Sequence, residues 1–346
     1  MAYTTINKSA TYFNTKTFTG TNGSGQSITG VGFRPDWLWI KHRTDISTHR
    51  LQDSVRGSTK ILPSNDTTAE STSSDSVTSF DSDGFTHGTN SAIDSTGNVV
   101  AWSWLAGGAS PSQTYTVKVV SDSGNKYRFD DFGTSAVTLD LQEGGTYTFD
   151  QSDSSNAGHP LRFSTTSNGS HGGGSEYTTG VTTSGTPGSS GAYTRITVAS
   201  GAATLYYYCT QHSGMGGQAN TNSTHGSSNF SGSVQSTVTA NTTSGFSIVK
   251  FDPTGAACTM GHGLGAAPKV IITKATNRSF SWVWGGDAIG WTKYLELNET
   301  QAVATSSARW NDTAPTSTVF SVKNEYNNGD TGIAYCFAEK TGFSRF

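Results

Sequence analysis

Charge and sulfur are both scarce in this chain. Among 346 residues, Lys and Arg number 22 and Asp and Glu 25, for a formal net charge of −3. A sparse and slightly negative surface offers nothing to phosphate, which excludes nucleic-acid binding as the main task. There are three Cys (Cys209, Cys258 and Cys336), an odd number widely spaced, which excludes a disulfide framework. No apolar run approaches the ~18 residues needed to cross a bilayer as a helix, so no membrane insertion is expected. The opening Met1-Ala2-Tyr3-Thr4-Thr5-Ile6-Asn7-Lys8-Ser9 lacks the apolar core of a secretory signal. Synthesis in a cytoplasm follows, with the protein acting there or leaving by lysis. Good helix formers are also thin on the ground, which excludes an ordinary helical protein.

What is abundant points one way. Gly numbers 41, and Ser and Thr together supply roughly three residues in ten. Eight Trp, 17 Phe and 13 Tyr provide bulky core material that disordered chains lack. Thr in strands, with Gly, Asn and Asp in tight turns, predicts an all-β protein.

The sequence also repeats. Gly30-Val31-Gly32-Phe33-Arg34-Pro35 has a counterpart in Gly263-Leu264-Gly265-Ala266-Ala267-Pro268. An apolar segment ending in Lys follows each: Asp36-Trp37-Leu38-Trp39-Ile40-Lys41 and Lys269-Val270-Ile271-Ile272-Thr273-Lys274. Thr59-Lys60-Ile61-Leu62 matches Thr292-Lys293-Tyr294-Leu295, and Ala101-Trp102-Ser103-Trp104 matches Ala334-Tyr335-Cys336-Phe337. Every pair is 233 residues apart (263 − 30 = 334 − 101 = 233), so one fold is used twice. Each copy reads as a β-sandwich whose strand after Pro35 or Pro268 is buried on both faces. The expected domains are a module over 1–108, an unrelated domain over 113–217, a Gly/Ser/Thr-rich connector over 218–244, and the second module over 245–346. Cys336 takes the place of Ser103 and is read, like Cys258, as a packing residue.

The middle domain concentrates the scarce sulfur. Thr138-Leu139-Asp140-Leu141 and Thr146-Tyr147-Thr148-Phe149 alternate as half-buried strands around Gly144-Gly145, and Gly158-His159-Pro160 opens another. Leu205-Tyr206-Tyr207-Tyr208-Cys209-Thr210-Gln211-His212-Ser213-Gly214-Met215 then carries a C-x2-H-x2-M spacing. A Cys at a strand end, a His three residues on and a Met three beyond can wrap one metal ion, with His159 on a neighbouring strand as a second imidazole. Two His and one thiolate with a weak axial thioether is a blue-copper donor set. These residues resemble the cupredoxins (plastocyanin- and amicyanin-like proteins). The resemblance implies a Greek-key β-sandwich with copper held by His159, Cys209, His212 and Met215. A long Gly/Ser/Thr-rich excursion over 164–191 departs from the compact members, and His171 within it is expected to be exposed.

Other signals are weaker. Gly172-Gly173-Gly174 and Gly261-His262-Gly263-Leu264-Gly265 precede no helix and are not phosphate loops. Asp81 and Asp83 flank Gly84 and read as turn caps rather than Ca²⁺ ligands. His42, His49, His87, His225 and His262 read as solvated or hydrogen-bonded at turns. Trp282 and Trp284, beside Gly285-Gly286, read as one buried strand face, with sugar stacking the alternative. No acid/base pair, nucleophile elbow or second redox centre is visible, so no enzymatic activity is expected.

Phe33-Arg34-Pro35-Asp36-Trp37-Leu38-Trp39-Ile40-Lys41, Asp53-Ser54-Val55-Arg56-Gly57, Ser79-Phe80-Asp81-Ser82-Asp83-Gly84-Phe85 and Ala334-Tyr335-Cys336-Phe337-Ala338-Glu339, with the opening Met1-Ala2-Tyr3-Thr4-Thr5-Ile6, resemble structural proteins of marine and cyanobacterial tailed phages. The resemblance implies a virion component assembled in a host cytoplasm: a tail fibre or appendage that recognises the host surface, or a capsid or tail decoration protein. The partners implied are other virion proteins and host glycans or a receptor, with a homo-oligomer, a trimer for a fibre of this kind, as the assembly.

Overall fold

The computed structural model describes residues 5–221 and 225–346, so Met1–Thr4 of the phage-like opening lie outside the described residues. Strands hold 40% of the chain and helix 5%, in an all-β sandwich architecture with no barrel. The chain forms two compact units: residues 1–108 with 234–346, and residues 109–233.

The first unit is built from both copies of the repeat. In copy one, four antiparallel strands run in the order Phe13–Thr19, Asn98–Trp104, Trp37–His42, Arg50–Asp53. In copy two the order is Phe246–Phe251, Gly332–Phe337, Val270–Ala275, Val283–Gly286. The strand starts keep the sequence offset, since 246 − 13, 270 − 37 and 283 − 50 all equal 233. A smaller sheet accompanies each: Gln26–Thr29 with Gly84–His87 and Val77–Asp81, and Cys258–Gly261 with Val319–Val322.

The period of two along a strand explains why the segment after each Pro is nearly continuously apolar. Leu38 and Ile40 face inward within copy one, packing with Ile28, Val77, Phe85 and Ile93. Trp37 faces the other way into a cluster shared with Phe246, Ile272, Trp282 and Tyr335 of copy two. Its ring stacks on Tyr335 at 4.2 Å and lies 4.4 Å from Trp104. Ile271 and Ala275 return to the interior of copy two, with Met260 and Cys258. The two large sheets therefore cover one another, and the copies form one unit where two separate modules were expected.

Several polar groups inside this joint are hydrogen-bonded. Arg56 binds Asp53 at 2.5 Å and Glu70 at 3.0 Å, and the Tyr335 hydroxyl donates to Asp53 at 2.7 Å. Lys274 is fully buried and donates to the carbonyls of Thr67 and Phe280 at 3.0 and 2.6 Å. Burial, only partly opposed by the charge of Asp66, lowers its pKa to about 8.

Residues 218–244 are not a connector. They contribute most of Gly217–Asn220, all of Ser227–Asn229 and all of Ser236–Asn241, the last paired with Phe246–Phe251. Of their apolar side chains, Ala219, Phe230 and Val238 are buried and Val234 and Ala240 are half-buried.

The second unit is a sandwich of two mixed sheets around one core. One sheet runs Asn125–Phe129, Ser112–Ser121, Thr146–Asp150, Tyr193–Thr197, Val181–Ser184, with Ser112–Ser121 parallel to Thr146–Asp150. The other runs Leu139–Asp140, Gly217–Asn220, Leu205–Cys209, Leu161–Ser164. Tyr115, Phe149, Leu161 and Tyr207 meet between them. Ser227–Asn229 seals one side: the Tyr115 hydroxyl donates to the Ser228 carbonyl at 2.8 Å, and Tyr147 and Ser227 share a bond of 2.7 Å.

Candidate metal centre

Alternation along Leu205–Cys209 turns Leu205, Tyr207 and Cys209 toward the core of the second unit, and Cys209 ends the strand fully buried. Leu161 is its partner across the sheet, so His159, two residues earlier, arrives beside the thiol. His212 follows on the loop after the strand and is exposed, while His159 is half-buried. The Cys209 Sγ lies 3.9 Å from His159 Nδ1 and 3.7 Å from His212 Nδ1, and the two imidazole centroids are 4.6 Å apart. All three donor atoms fall within 4.8 Å of one another.

These spacings suit an ion. Bonds of about 2.3 Å to sulfur and about 2.0–2.1 Å to nitrogen, 120° apart, put S and N about 3.8 Å from each other. The observed 3.7 and 3.9 Å bracket that value. Burial, followed by the charge of His212, lowers the His159 pKa and favours the neutral imidazole a metal needs. Met215 is buried in the same core cluster as Cys209.

The loop is tightly held. At its far end Gly216 passes so near the strand that a Cβ there would lie 1.7 Å from the Tyr207 carbonyl oxygen. Tyr127 N–H donates to the Met215 carbonyl at 3.0 Å, Lys126 Nζ donates to the Gly214 carbonyl, and Thr210 N–H donates to the Pro160 carbonyl at 3.1 Å. His159 is fixed through its own carbonyl, which accepts from the Tyr127 hydroxyl at 2.9 Å and Gln151 Nε2 at 2.8 Å.

Two contacts from the 164–191 excursion escaped the sequence reading. Asn168 Oδ1 accepts from Gly214 N–H at 2.8 Å, and His171, exposed as expected, donates from Nε2 to the Cys209 carbonyl at 3.0 Å. Both reach backbone atoms, which leave no residue-type pattern to find.

Asp83 accepts from Gly30 and Gly32 N–H at 3.0 and 2.6 Å, a cap between loops. Trp282 is buried, its Nε1 donating to the Pro63 carbonyl at 2.7 Å, which removes it as a sugar platform; Trp284 is half-buried. His42, His87 and His262 are buried rather than solvated, with His262 bonded through both ring nitrogens. Cys258 and Cys336 pack in one core cluster.

Fold and donor cluster together define an all-β protein of two units, one carrying a His₂Cys constellation. The chain belongs to the family described as Domain of unknown function (DUF7483), whose model matches residues 8–128 and 218–346. No curated protein and no solved structure matches the chain. His159, Cys209, His212 and Met215 all fall in the stretch 129–217 that the family match leaves out.

Proposed function

We propose that this chain is a non-enzymatic virion structural protein, a fibre or appendage component for host-surface recognition, whose 109–233 unit binds one copper ion. The copper assignment is carried by Cys209 Sγ, which lies 3.9 and 3.7 Å from the Nδ1 atoms of His159 and His212, the sulfur-to-nitrogen spacing of a trigonal donor set. A thiolate donor selects a soft ion over Mg²⁺ or Ca²⁺, and a copper ion held there would supply one-electron redox chemistry. Cys209 presents its sulfur from a rigid strand end, His159 is kept neutral by burial, and the core around Met215 excludes water from the inner side.

The virion reading is supported by the resemblance of the repeated segments to phage structural proteins and by a doubled β-module with low surface charge. Two measurements test the parts separately. Protein loaded with Cu(II) should show an intense thiolate-to-copper band in the visible, absent in Cys209→Ser; equal metal content in the two would overturn the copper site. Mass spectrometry of purified particles should find the chain in mature virions, and its absence would overturn the virion role. Binding to host cells rather than to capsids or tails lacking this protein then distinguishes a fibre from a decoration protein.

A further inference from the structure

Resting on the copper reading, we infer that Asn168 and His171 are positioning residues that hold the ligand loop in its metal-binding shape before any metal arrives. The loop from Cys209 to Met215 carries two sulfurs and an exposed His, and Ser213 and Gly214 at its tip are exposed. Such a tip has little burial of its own to fix it. The structure fixes it through the backbone from two sides. From the Asn125–Phe129 strand, Lys126 and Tyr127 take the carbonyls of Gly214 and Met215. From the turn at Gly169–Gly172, Asn168 takes both Gly214 N–H and the Ser213 hydroxyl, each at 2.8 Å, and His171 takes the Cys209 carbonyl at 3.0 Å.

This turn is shaped for the task. Asn168 sits at φ 61°, a left-handed conformation that Asn tolerates better than most residues. Gly169 lies flat on Tyr208, the neighbour of Cys209, so closely that a Cβ would come 2.5 Å from the ring. The polar excursion that departs from compact cupredoxins thus serves as a brace against the ligand loop. Outer partners of this kind commonly alter metal affinity by about 10–100-fold.

The test uses the full chain. Asn168→Gly keeps the left-handed backbone and removes the amide, and Asn168→Asp retains an acceptor for Gly214 N–H. In the metal-free protein, hydrogen exchange at Gly214 N–H should be slow in the wild type, fast in Asn168→Gly, and slow again in Asn168→Asp. Titration with Cu(II) should give a copper dissociation constant about tenfold weaker in Asn168→Gly, and a shifted thiolate-to-copper band in His171→Ala. Unchanged Gly214 exchange in Asn168→Gly, or unchanged copper affinity and spectrum in both variants, would overturn the brace. A wild type with no copper band but with Asn168-dependent protection of Gly214 would instead overturn the copper reading and leave the brace as a feature of the fold.

Discussion

Gly216 is where the ligand loop has least room. Alanine there must displace either the loop or the Tyr207 carbonyl, because nothing flexible lies in the way. Gly216→Ala is expected to lower copper stoichiometry well below one per chain while the first unit still melts normally, as read by metal analysis and differential scanning calorimetry. Lys274 makes a different prediction, about pH. Its folded pKa of about 8 lies below the ordinary lysine value of 10.5, so above pH 8 the unfolded chain binds more protons than the folded one. Stability contributed at this site therefore rises with pH between about 8 and 10.5. Urea midpoints across that range should climb more steeply in the wild type than in Lys274→Met; parallel slopes would contradict the assignment. Of the candidate site's residues, Cys209, His212 and Met215 were legible because their spacing is set by one loop, and His159 because it stands just before a strand. Asn168, His171 and Lys126 were not, because each binds a peptide group and any sequence supplies those.

The Trp37–His42 strand shows what alternation can and cannot say. Its unbroken apolar run told of two buried faces, but not that a second copy of the same module covers one of them. The substitutions Leu38→Ala and Trp37→Ala each remove a fully buried side chain, from opposite faces, and each should cost about 2–5 kcal/mol in denaturant titrations. Tyr335→Phe, which leaves buried Asp53 short of one donor, should cost about 1–3 kcal/mol. Coupling separates the faces: Trp37→Ala and Tyr335→Leu should be non-additive, since each removes one ring of the pair stacked at 4.2 Å, while Leu38→Ala and Tyr335→Leu should add. The Ser236–Asn241 strand was misread for a related reason. Thr237 and Thr239 carry β propensity but no hydrophobic signal, and Val238 and Ala240 are the only apolar side chains in the strand. A strand stabilised by its ladder with Phe246–Phe251 need not announce itself in composition.

At the scale of the molecule, the first unit is discontinuous in sequence and the second is continuous. Within the first unit the ends left by the insert lie together: Gly107 N–H donates to Thr239 Oγ1 at 2.9 Å, and Asn241 Nδ2 donates to the Ala106 carbonyl at 3.3 Å. Replacing 109–233 by a short Gly/Ser linker is therefore expected to leave a protein that unfolds in one cooperative transition and binds no copper. A broad, non-cooperative melt would show that the first unit depends on the second. The joint between the copies also sets a clock. Trp37 and the Tyr335 it stacks on are 335 − 37 = 298 residues apart. At translation rates of about 5–20 residues per second, roughly 15–60 s separate their appearance at the ribosome. From residue 233 onward the second unit has all its residues, while copy one still waits with its tryptophan face bare. Aggregation during synthesis, rather than instability of the finished protein, is thus the hazard that this arrangement brings.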